Sequence, residues 1–347
     1  MSEEKLYLFV VTSKLTGKPE RTLTTKLYDL GIGYKELVGR VLRFRQQIEQ
    51  LDSATAQTSV ELYDLLLKPA AEQLLNKSRL IIAPDSVLWG LSFQALMPAP
   101  ERFLIEDVEL FYVPSLTAYR EIKNDTRPRV RAANTKQLVV FNHPTYSNQS
   151  TEFMQLMSGN NKLAQSLPDN ESQPLSEVFG LRQSTLFSDT EASETRARSL
   201  GSAYRIIQFN AIARLEDASP MYSYVALSPD KNGGNDGFLL TREIMQLDER
   251  ANLIIYSAAS PVRDQIQNGD SLIGLSWAWF VAGSPALMTS QWITSPDCTT
   301  ELMANFYAKI KAGGKEVDSS NYKSGAFRQA VLQQIQRSGC KEPYAWA

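Results

Sequence analysis

Short, uninterrupted apolar runs recur along this chain and alternate with segments of helical period. Five runs predict buried strands, at 79–84, 137–141, 204–209, 251–257 and 286–290. Runs of this kind are typical of a parallel sheet that is covered on both faces. Helical periodicity separates or follows them around 191–200, 271–282 and 299–311. Strand alternating with helix predicts an α/β fold in which helices flank a mostly parallel sheet.

The N-terminal part of the chain has a different pattern. Two β-rich runs separated by a turn sequence predict a hairpin, and two stretches of helical spacing predict a pair of helices, at 6–11, 21–27, 37–48 and 62–74. Pro69 marks a point at which the second helix is expected to kink. We therefore predict two lobes, over residues 1–130 and 131–347.

One stretch, 271–296, contains no charged residue and is long enough to cross a bilayer of about 30 Å. The turn sequence Gly283-Ser284-Pro285 divides this stretch into two shorter elements. We therefore predict a buried helix followed by a buried strand, and no membrane span. The first six residues carry two Glu before any apolar run, which is the wrong order for a secretory signal.

The composition disfavours several classes of partner and of chemistry. With 36 Lys and Arg against 38 Asp and Glu, the net charge of −2 is too balanced for nonspecific binding of nucleic acid. The two cysteines, Cys298 and Cys340, are too few for a disulfide framework or a zinc site. We interpret both as ordinary thiols in a reducing, cytoplasmic compartment, and we expect neither a metal nor another cofactor.

Catalytic side chains are scarce. His143 is the only histidine, although Ser-His-Asp and Cys-His catalysis each require an imidazole in the right place. It precedes a proline, which is typical of a solvated turn residue. The carboxylate pairs Glu106–Asp107 and Asp248–Glu249 are adjacent in sequence and do not converge, so we interpret them as solvated surface.

Four ordered segments carry a resemblance to a known family. They are Asp85–Leu96, Tyr112–Ala118, Asp236–Ile244 and, within 271–292, the motifs Ser271–Ser276, Ala282–Ser284 and Ser290–Trp292. In this order they resemble the CHAT family, whose members are caspase-like cysteine peptidases of the separase and caspase clan and are often fused to tetratricopeptide repeats. The resemblance covers about residues 5–346. It implies a two-lobed, caspase-like α/β fold with a mostly parallel sheet.

The resemblance also implies a Cys-His dyad at the ends of two central strands. The family has a segment like H-F-A-T-H-G after one strand and a segment like S-A-C-E-S after the next. Here the matching segments are Gln208–Ala213 and Ser257–Pro261, so Ile212 stands at the imidazole position and Ala259 at the thiol position. Their separation is close to the roughly 50 residues by which a caspase-type His precedes its Cys. Neither side chain can act as a nucleophile or carry a proton.

Other residues near these positions are candidates for binding. Ser257 and Ser260 flank the thiol position, but hydroxyls without a base are weak nucleophiles, and we interpret them as strand-end capping groups. Together with Ser290 and Trp292 they are candidates to line a peptide groove. For Trp292 we keep two alternatives open, a place in the groove and a place in the core.

The leading hypothesis is a catalytically inactive CHAT pseudoprotease that binds protein or peptide as a scaffold or regulator. An active CHAT peptidase or a repeat-containing protein is the expected partner. The alternative is a caspase-like cysteine endopeptidase, represented here by an inactivated variant or by one with an unorthodox dyad. The changes at Gln208, Ile212 and Ala213 of the histidine segment exceed what an inactivating substitution requires, which favours natural loss.

Overall fold

The computed structural model describes residues 5–15, 21–125, 135–148, 151, 177–214, 219–230, 234–256, 270–292, 294–313, 320–337 and 339–347. The chain forms two compact units. The first comprises Met1–Ile82 and Val87–Tyr112, together with Ala347, and the second comprises Ala83–Ser86 and Val113–Trp346.

The first unit begins with the predicted hairpin and helices. In chain order its elements are β1 (Tyr7–Leu15), β2 (Arg21–Asp29), α1 (Tyr34–Glu49), α2 (Thr55–Leu66), α3 (Ala71–Leu74), β3 (Arg79–Ile82), α4 (Leu104–Asp107) and β4 (Glu109–Tyr112). Strands β1 and β2 pair in antiparallel fashion, as predicted. A 3-10 turn at Lys68–Ala70 breaks the second helix at Pro69, which confirms the expected kink. The predicted strand at 79–84 is β3, which pairs in parallel with β4 in a small sheet of its own.

The second unit is built on a five-stranded sheet in the order β12-β11-β7-β5-β6. Its strands are β5 (Lys136–Pro144), β6 (Ser184–Asp189), β7 (Tyr204–Asn210), β11 (Leu253–Tyr256) and β12 (Leu287–Thr289). Every neighbouring pair is parallel. Four of these strands fall on the predicted apolar runs, so the prediction of a parallel α/β sheet is confirmed.

Helices and a second small sheet complete this unit. The helices are α5 (Leu116–Asn124), α6 (Glu194–Arg198), α7 (Thr241–Ile244), α8 (Asp270–Ala282), α9 (Pro296–Ala312) and α10 (Ser320–Ile335). In the sequence between β7 and β11, the chain forms a small antiparallel sheet. Its strands are β8 (Ala213–Arg214), β9 (Tyr224–Ala226) and β10 (Phe238–Leu240). Within the described ranges, none of the helices combines the length and apolar character that a bilayer span requires.

A stack of aromatic rings fixes the middle strands against α8. The ring centroids of Phe141 and Phe209 lie 5.2 Å apart, and those of Phe209 and Tyr256 lie 5.4 Å apart. The indole Nε1 of Trp279, on α8, donates a hydrogen bond of 2.6 Å to the Tyr256 hydroxyl. All four side chains are fully buried, so the last residues of β5, β7 and β11 are held in a fixed arrangement.

The interpretation of the cysteines as ordinary thiols is wrong. Cys298, in the first turn of α9, and Cys340, near the C-terminus, form a disulfide with Cα atoms 5.7 Å apart. Both residues are buried. Two cysteines are too few for a framework of several disulfides, but they can still form one. Their number alone does not show whether the fold brings them within bonding distance.

The interpretation of Glu249 as solvated surface is also wrong. Only 2% of this residue is exposed. Its main-chain N–H donates to the carbonyl of Ala282 at 2.8 Å, which ties it to the end of α8. The adjacent Asp248 does point to solvent and forms an ion pair with Arg250 at 2.5 Å. The two neighbouring carboxylates therefore have opposite surroundings, one in the interior and one in solvent.

Candidate functional site

The imidazole position lies in a buried apolar cluster. Ile212 follows the carboxyl end of β7 directly before β8, and only 4% of it is exposed. It packs with Tyr224 and Ala226 of β9, and three partly buried side chains complete the cluster, Tyr146, Phe238 and Leu240. The cluster leaves the Ile212 side chain no open access to water.

Main-chain hydrogen bonds hold Ile212 on both sides. Its N–H donates to the hydroxyl oxygen of Tyr146 at 3.5 Å, and its carbonyl accepts from the N–H of Ala226 at 2.8 Å. Burial raises the pKa of Tyr146 above its ordinary value, and the hydrogen bond from Ile212 opposes this only in part. The phenol therefore stays protonated near neutral pH and does not act as a base there.

A chain of neutral polar side chains runs beside this cluster. The Gln208 amide donates to Asn210 at 2.7 Å, and Asn210 donates to Asn142, its partner in the register of β5 and β7, at 3.2 Å. The Tyr307 hydroxyl, from α9, donates to the Gln208 carbonyl oxygen. Burial raises the pKa of Tyr307 well above its ordinary value. These residues form a buried network that carries no charge.

The thiol position and its neighbours, Ser257, Ala259 and Ser260, lie outside the described residues. The strand that leads to them, β11, ends at Tyr256, opposite Phe209 of β7. Ile212 follows β7 at this same end of the sheet, because the carboxyl ends of parallel strands lie on one side. The structure thus places the carboxyl ends of β7 and β11 side by side.

The remaining groove candidates follow the outer strand β12. The N–H of Ser290 donates to the carbonyl of Tyr256 at 3.2 Å, which places Ser290 beside the end of β11. Trp292 is only 5% exposed, and its indole Nε1 donates to the carbonyl of Tyr344 at 2.9 Å. The indole is therefore enclosed by the C-terminal segment that the Cys298–Cys340 disulfide attaches to α9.

The single histidine lies at an irregular point of β5. The register of β5 with β6 shifts between Asn142 and Pro144, and His143 between them has φ of 46°. This left-handed conformation is unusual for a residue with a side chain. It places His143 at the same sheet edge as the network of Asn142 and Asn210.

A buried carboxylate fixes the segment that carries one family motif. Glu194 accepts the Gly237 N–H at 3.0 Å and pairs with Arg198 at 3.1 Å. Arg198 also approaches Glu243 at 3.4 Å, and Glu243 accepts the Leu240 N–H at 2.9 Å. Burial is the largest influence on the pKa of Glu194 and raises it, against the opposing hydrogen bonds. The arrangement thus positions the motif through a carboxylate that is itself buried.

Sequence reasoning missed the polar network and the Tyr146 contact. Gln208 and Asn210 interrupt an otherwise apolar strand at spacing two, which is a signal for a polar stripe on one face of the sheet. No such signal marks Tyr146 or Tyr307, since both contacts join residues far apart in sequence. Among the described residues, no group of three or more His, Cys, Asp or Glu side chains is arranged to hold a metal ion.

Comparison with protein families gives one result. A family model described as the CHAT domain matches residues 56–347, from the start of α2 to the end of the chain. The hairpin and α1 precede the matched region. No curated protein matches the chain.

Proposed function

Because this chain belongs to the CHAT domain family, which is related to caspase-like peptidases, we propose that it is an inactive member that binds protein or peptide. In this proposal it acts as a scaffold or regulator and catalyses no hydrolysis. Its partner is an active CHAT peptidase or a repeat-containing protein.

The observation that carries the proposal is the environment of Ile212. A dyad histidine must exchange protons with a thiol and with a substrate, so it needs an open, polar setting. Ile212 instead packs among Tyr224, Ala226 and other apolar groups. The hydroxyls of Tyr146 and Tyr307 have raised pKa values, so neither phenol can act as a base near neutral pH.

We propose that the partner binds along the lateral edge of the central sheet, where β12 is the outermost strand. Peptides often add to an exposed strand, where main-chain hydrogen bonds supply affinity and side-chain pockets supply selectivity. Strand β12 pairs only with β11 in the described part of the chain. We propose that Ser257, Ser260 and Ser290 line the groove, with Trp292 in its wall.

The proposed compartment is the cytoplasm, and the balanced charge disfavours nucleic acid as a partner. The Cys298–Cys340 disulfide is the observation that weighs against a reducing compartment, because disulfides persist mainly in oxidising surroundings. The redox state of the two cysteines decides the point. Free thiols are alkylated at the moment of cell lysis, and the peptides that contain Cys298 and Cys340 are then identified by mass spectrometry. A reduced pair supports the cytoplasm, and a formed disulfide counts against it.

The catalytic part of the proposal is tested with a peptide library. The wild-type chain should show no turnover above buffer. The double variant Ile212→His with Ala259→Cys should also be inactive, and it should melt at a lower temperature because burying an imidazole without a partner costs about 1–3 kcal/mol. Ile212→Val is the packing control and should lower the melting temperature less than the double variant does, because the loss of one buried methyl group costs about 0.5–1.5 kcal/mol. Wild-type turnover that disappears in Ser257→Ala or Ser260→Ala would refute the proposal.

The binding part is tested by hydrogen exchange with and without an active CHAT peptidase. We expect slower exchange at 290–292 and at β12 in the presence of the partner. Trp292→Ala should weaken binding by about 2 kcal/mol if the indole supports the groove wall. Protection confined to residues 30–76, with none at 290–292, would refute the groove and assign binding to the N-terminal helices.

A further inference from the structure

One face of the N-terminal hairpin is apolar and open. Alternate residues of β1 and β2 point to this face, and five of them are large apolar side chains that are 45–68% exposed: Tyr7, Phe9, Val11, Leu23 and Leu27. Phe9 lies directly opposite Leu27 in the register, so the side chains form a continuous surface. We call these five residues the hairpin face.

The opposite face of the hairpin is attached to the rest of its unit. The Tyr28 hydroxyl donates to Gln73 of α3, and the Lys26 ammonium lies 3.9 Å from the Glu72 carboxylate. Leu6, at the start of the hairpin, is buried. The hairpin is thus held in place from one side, while the described part of the chain leaves the hairpin face uncovered.

An uncovered surface of this size requires an explanation. The five side chains expose roughly 500 Å², which is near the upper end of the largest apolar patches on monomeric proteins. An isolated two-stranded sheet is only marginally stable in water, so the hairpin depends on the contacts that its faces make. The match to the CHAT family begins at residue 56, so the hairpin face lies outside the matched region.

We infer that the hairpin face is a dimer interface that packs against the same face of a second copy. Two such faces together bury roughly 1,000 Å², which reaches the lower limit for specific protein interfaces. Two β-hairpins can stack face to face at about 10 Å, as paired sheets do. A two-fold axis then brings identical apolar surfaces together.

The charge pattern favours a copy of the same chain over a charged partner. From Tyr7 to Ser13 on β1 and from Leu23 to Leu27 on β2, the side chains that share this face are apolar or neutral, including Ser13 and Thr25, and the charged Arg21 follows only at the turn end of the hairpin. At its end, Lys5 and Asp29 neutralise each other in an ion pair of 3.2 Å. Two copies therefore meet at these central positions without like-charge repulsion, and a strongly acidic or basic partner gains nothing at them. The inference uses no residue of the proposed groove and stands independently of the proposed function.

The oligomeric state of the full chain tests the inference. Sedimentation equilibrium of the wild type should show a monomer–dimer equilibrium with a Kd of about 10 µM, since an interface at the lower size limit is expected to be weak. Leu23→Lys should raise the Kd at least about 100-fold, because it places a like charge from each copy in the interface. Leu75→Lys is the matched control, since Leu75 is equally exposed on the same unit but lies outside the hairpin face. It should leave the Kd unchanged.

A second measurement separates loss of the dimer from loss of the hairpin. In the wild type, exchange of the amides in 7–15 and 21–29 should slow as the protein concentration rises, and in Leu23→Lys it should not depend on concentration. In Leu23→Lys, the amides of 7–15 and 21–29 should still exchange more slowly than amides of an unfolded chain, which shows that the hairpin is intact. A wild type that stays monomeric at about 100 µM, or a dimer that Leu23→Lys leaves intact, overturns the inference.

Discussion

Glu249 should make this protein less stable as the pH rises from acidic to mildly alkaline values. The residue is almost completely buried, and its carboxylate accepts the N–H groups of Arg250 and Ala251 at 2.9 Å and 3.0 Å. Burial is the main influence and raises its pKa from 4.5 to about 8, although both hydrogen bonds oppose the shift. The folded protein therefore holds a proton that the unfolded chain releases.

The sign and the size of the effect follow from this difference. Because the folded-state pKa of Glu249 is raised, its contribution to stability is fully present below pH 4.5 and is lost as the pH rises through about 8. Each unit of pKa difference corresponds to about 1.4 kcal/mol, so the loss approaches about 5 kcal/mol as an upper limit. Glu249→Gln keeps the shape and the acceptor oxygen but cannot ionise. It should therefore remove this pH dependence.

Urea unfolding between about pH 5 and about pH 9 measures the effect. The wild-type free energy of unfolding should fall across this range, while that of Glu249→Gln should stay nearly level. Asp248→Asn is the matched control, because Asp248 is the neighbouring carboxylate and points to solvent. It should leave most of the slope in place, because burial is the largest cause of the raised Glu249 pKa and the Asp248 charge contributes less to it. A level wild-type curve, or an unchanged slope in Glu249→Gln, would refute the assignment of a buried, protonated Glu249.

Two further predictions concern the backbone and the disulfide. Gly237 has φ of +90°, and a Cβ atom there would lie 2.6 Å from the Leu227 carbonyl oxygen, so Gly237→Ala should lower the unfolding free energy by about 3 kcal/mol. Gly201→Ala, at a positive φ without a close neighbour, should cost only about 1 kcal/mol, and equal losses in the two variants would contradict the steric argument. The Cys298–Cys340 bond spans 42 residues, so Cys298→Ser should cost about 4 kcal/mol by the loop-entropy estimate. Reduction of the wild type should have the same effect, and an unfolding midpoint that does not respond to reductant would show that the bond adds no stability.

The three middle strands of the central sheet, β5, β7 and β11, were predictable because their burial is nearly continuous. Residues such as Ile206, Ile207, Ile254 and Ile255 are apolar at consecutive positions because both faces of the central sheet are covered. The outer strand β6 was missed, since Ser184–Asp189 includes four Ser, Thr or Asp residues among its six and is only partly buried. The small antiparallel sheet was missed because two- and three-residue strands leave no detectable period.

The site was predictable where an ordered motif marks it. The position of Ile212 at the end of a central strand follows from the strand pattern and from the resemblance taken together. The contacts that define its surroundings were not predictable, since they depend on which distant residues the fold brings near. Cys298 and Cys340 illustrate the same limit, because a pair of cysteines 42 residues apart reveals nothing about distance until the fold is known.

In the proposed inactive protein, the polar network beside Ile212 holds the ends of the strands in place without catalytic groups. Gln208, Asn210 and Asn142 are buried in neighbouring strands, where an unpaired amide would cost about 1–3 kcal/mol. Each amide is paired, and Tyr307 closes the chain from α9. The network thus links β5, β7 and α9 through specific, neutral hydrogen bonds, which favour a single arrangement of these elements. Strand ends held in this way need neither a thiolate nor an imidazolium for their geometry, so the proposed loss of the dyad is compatible with main-chain groups that stay positioned for the proposed binding.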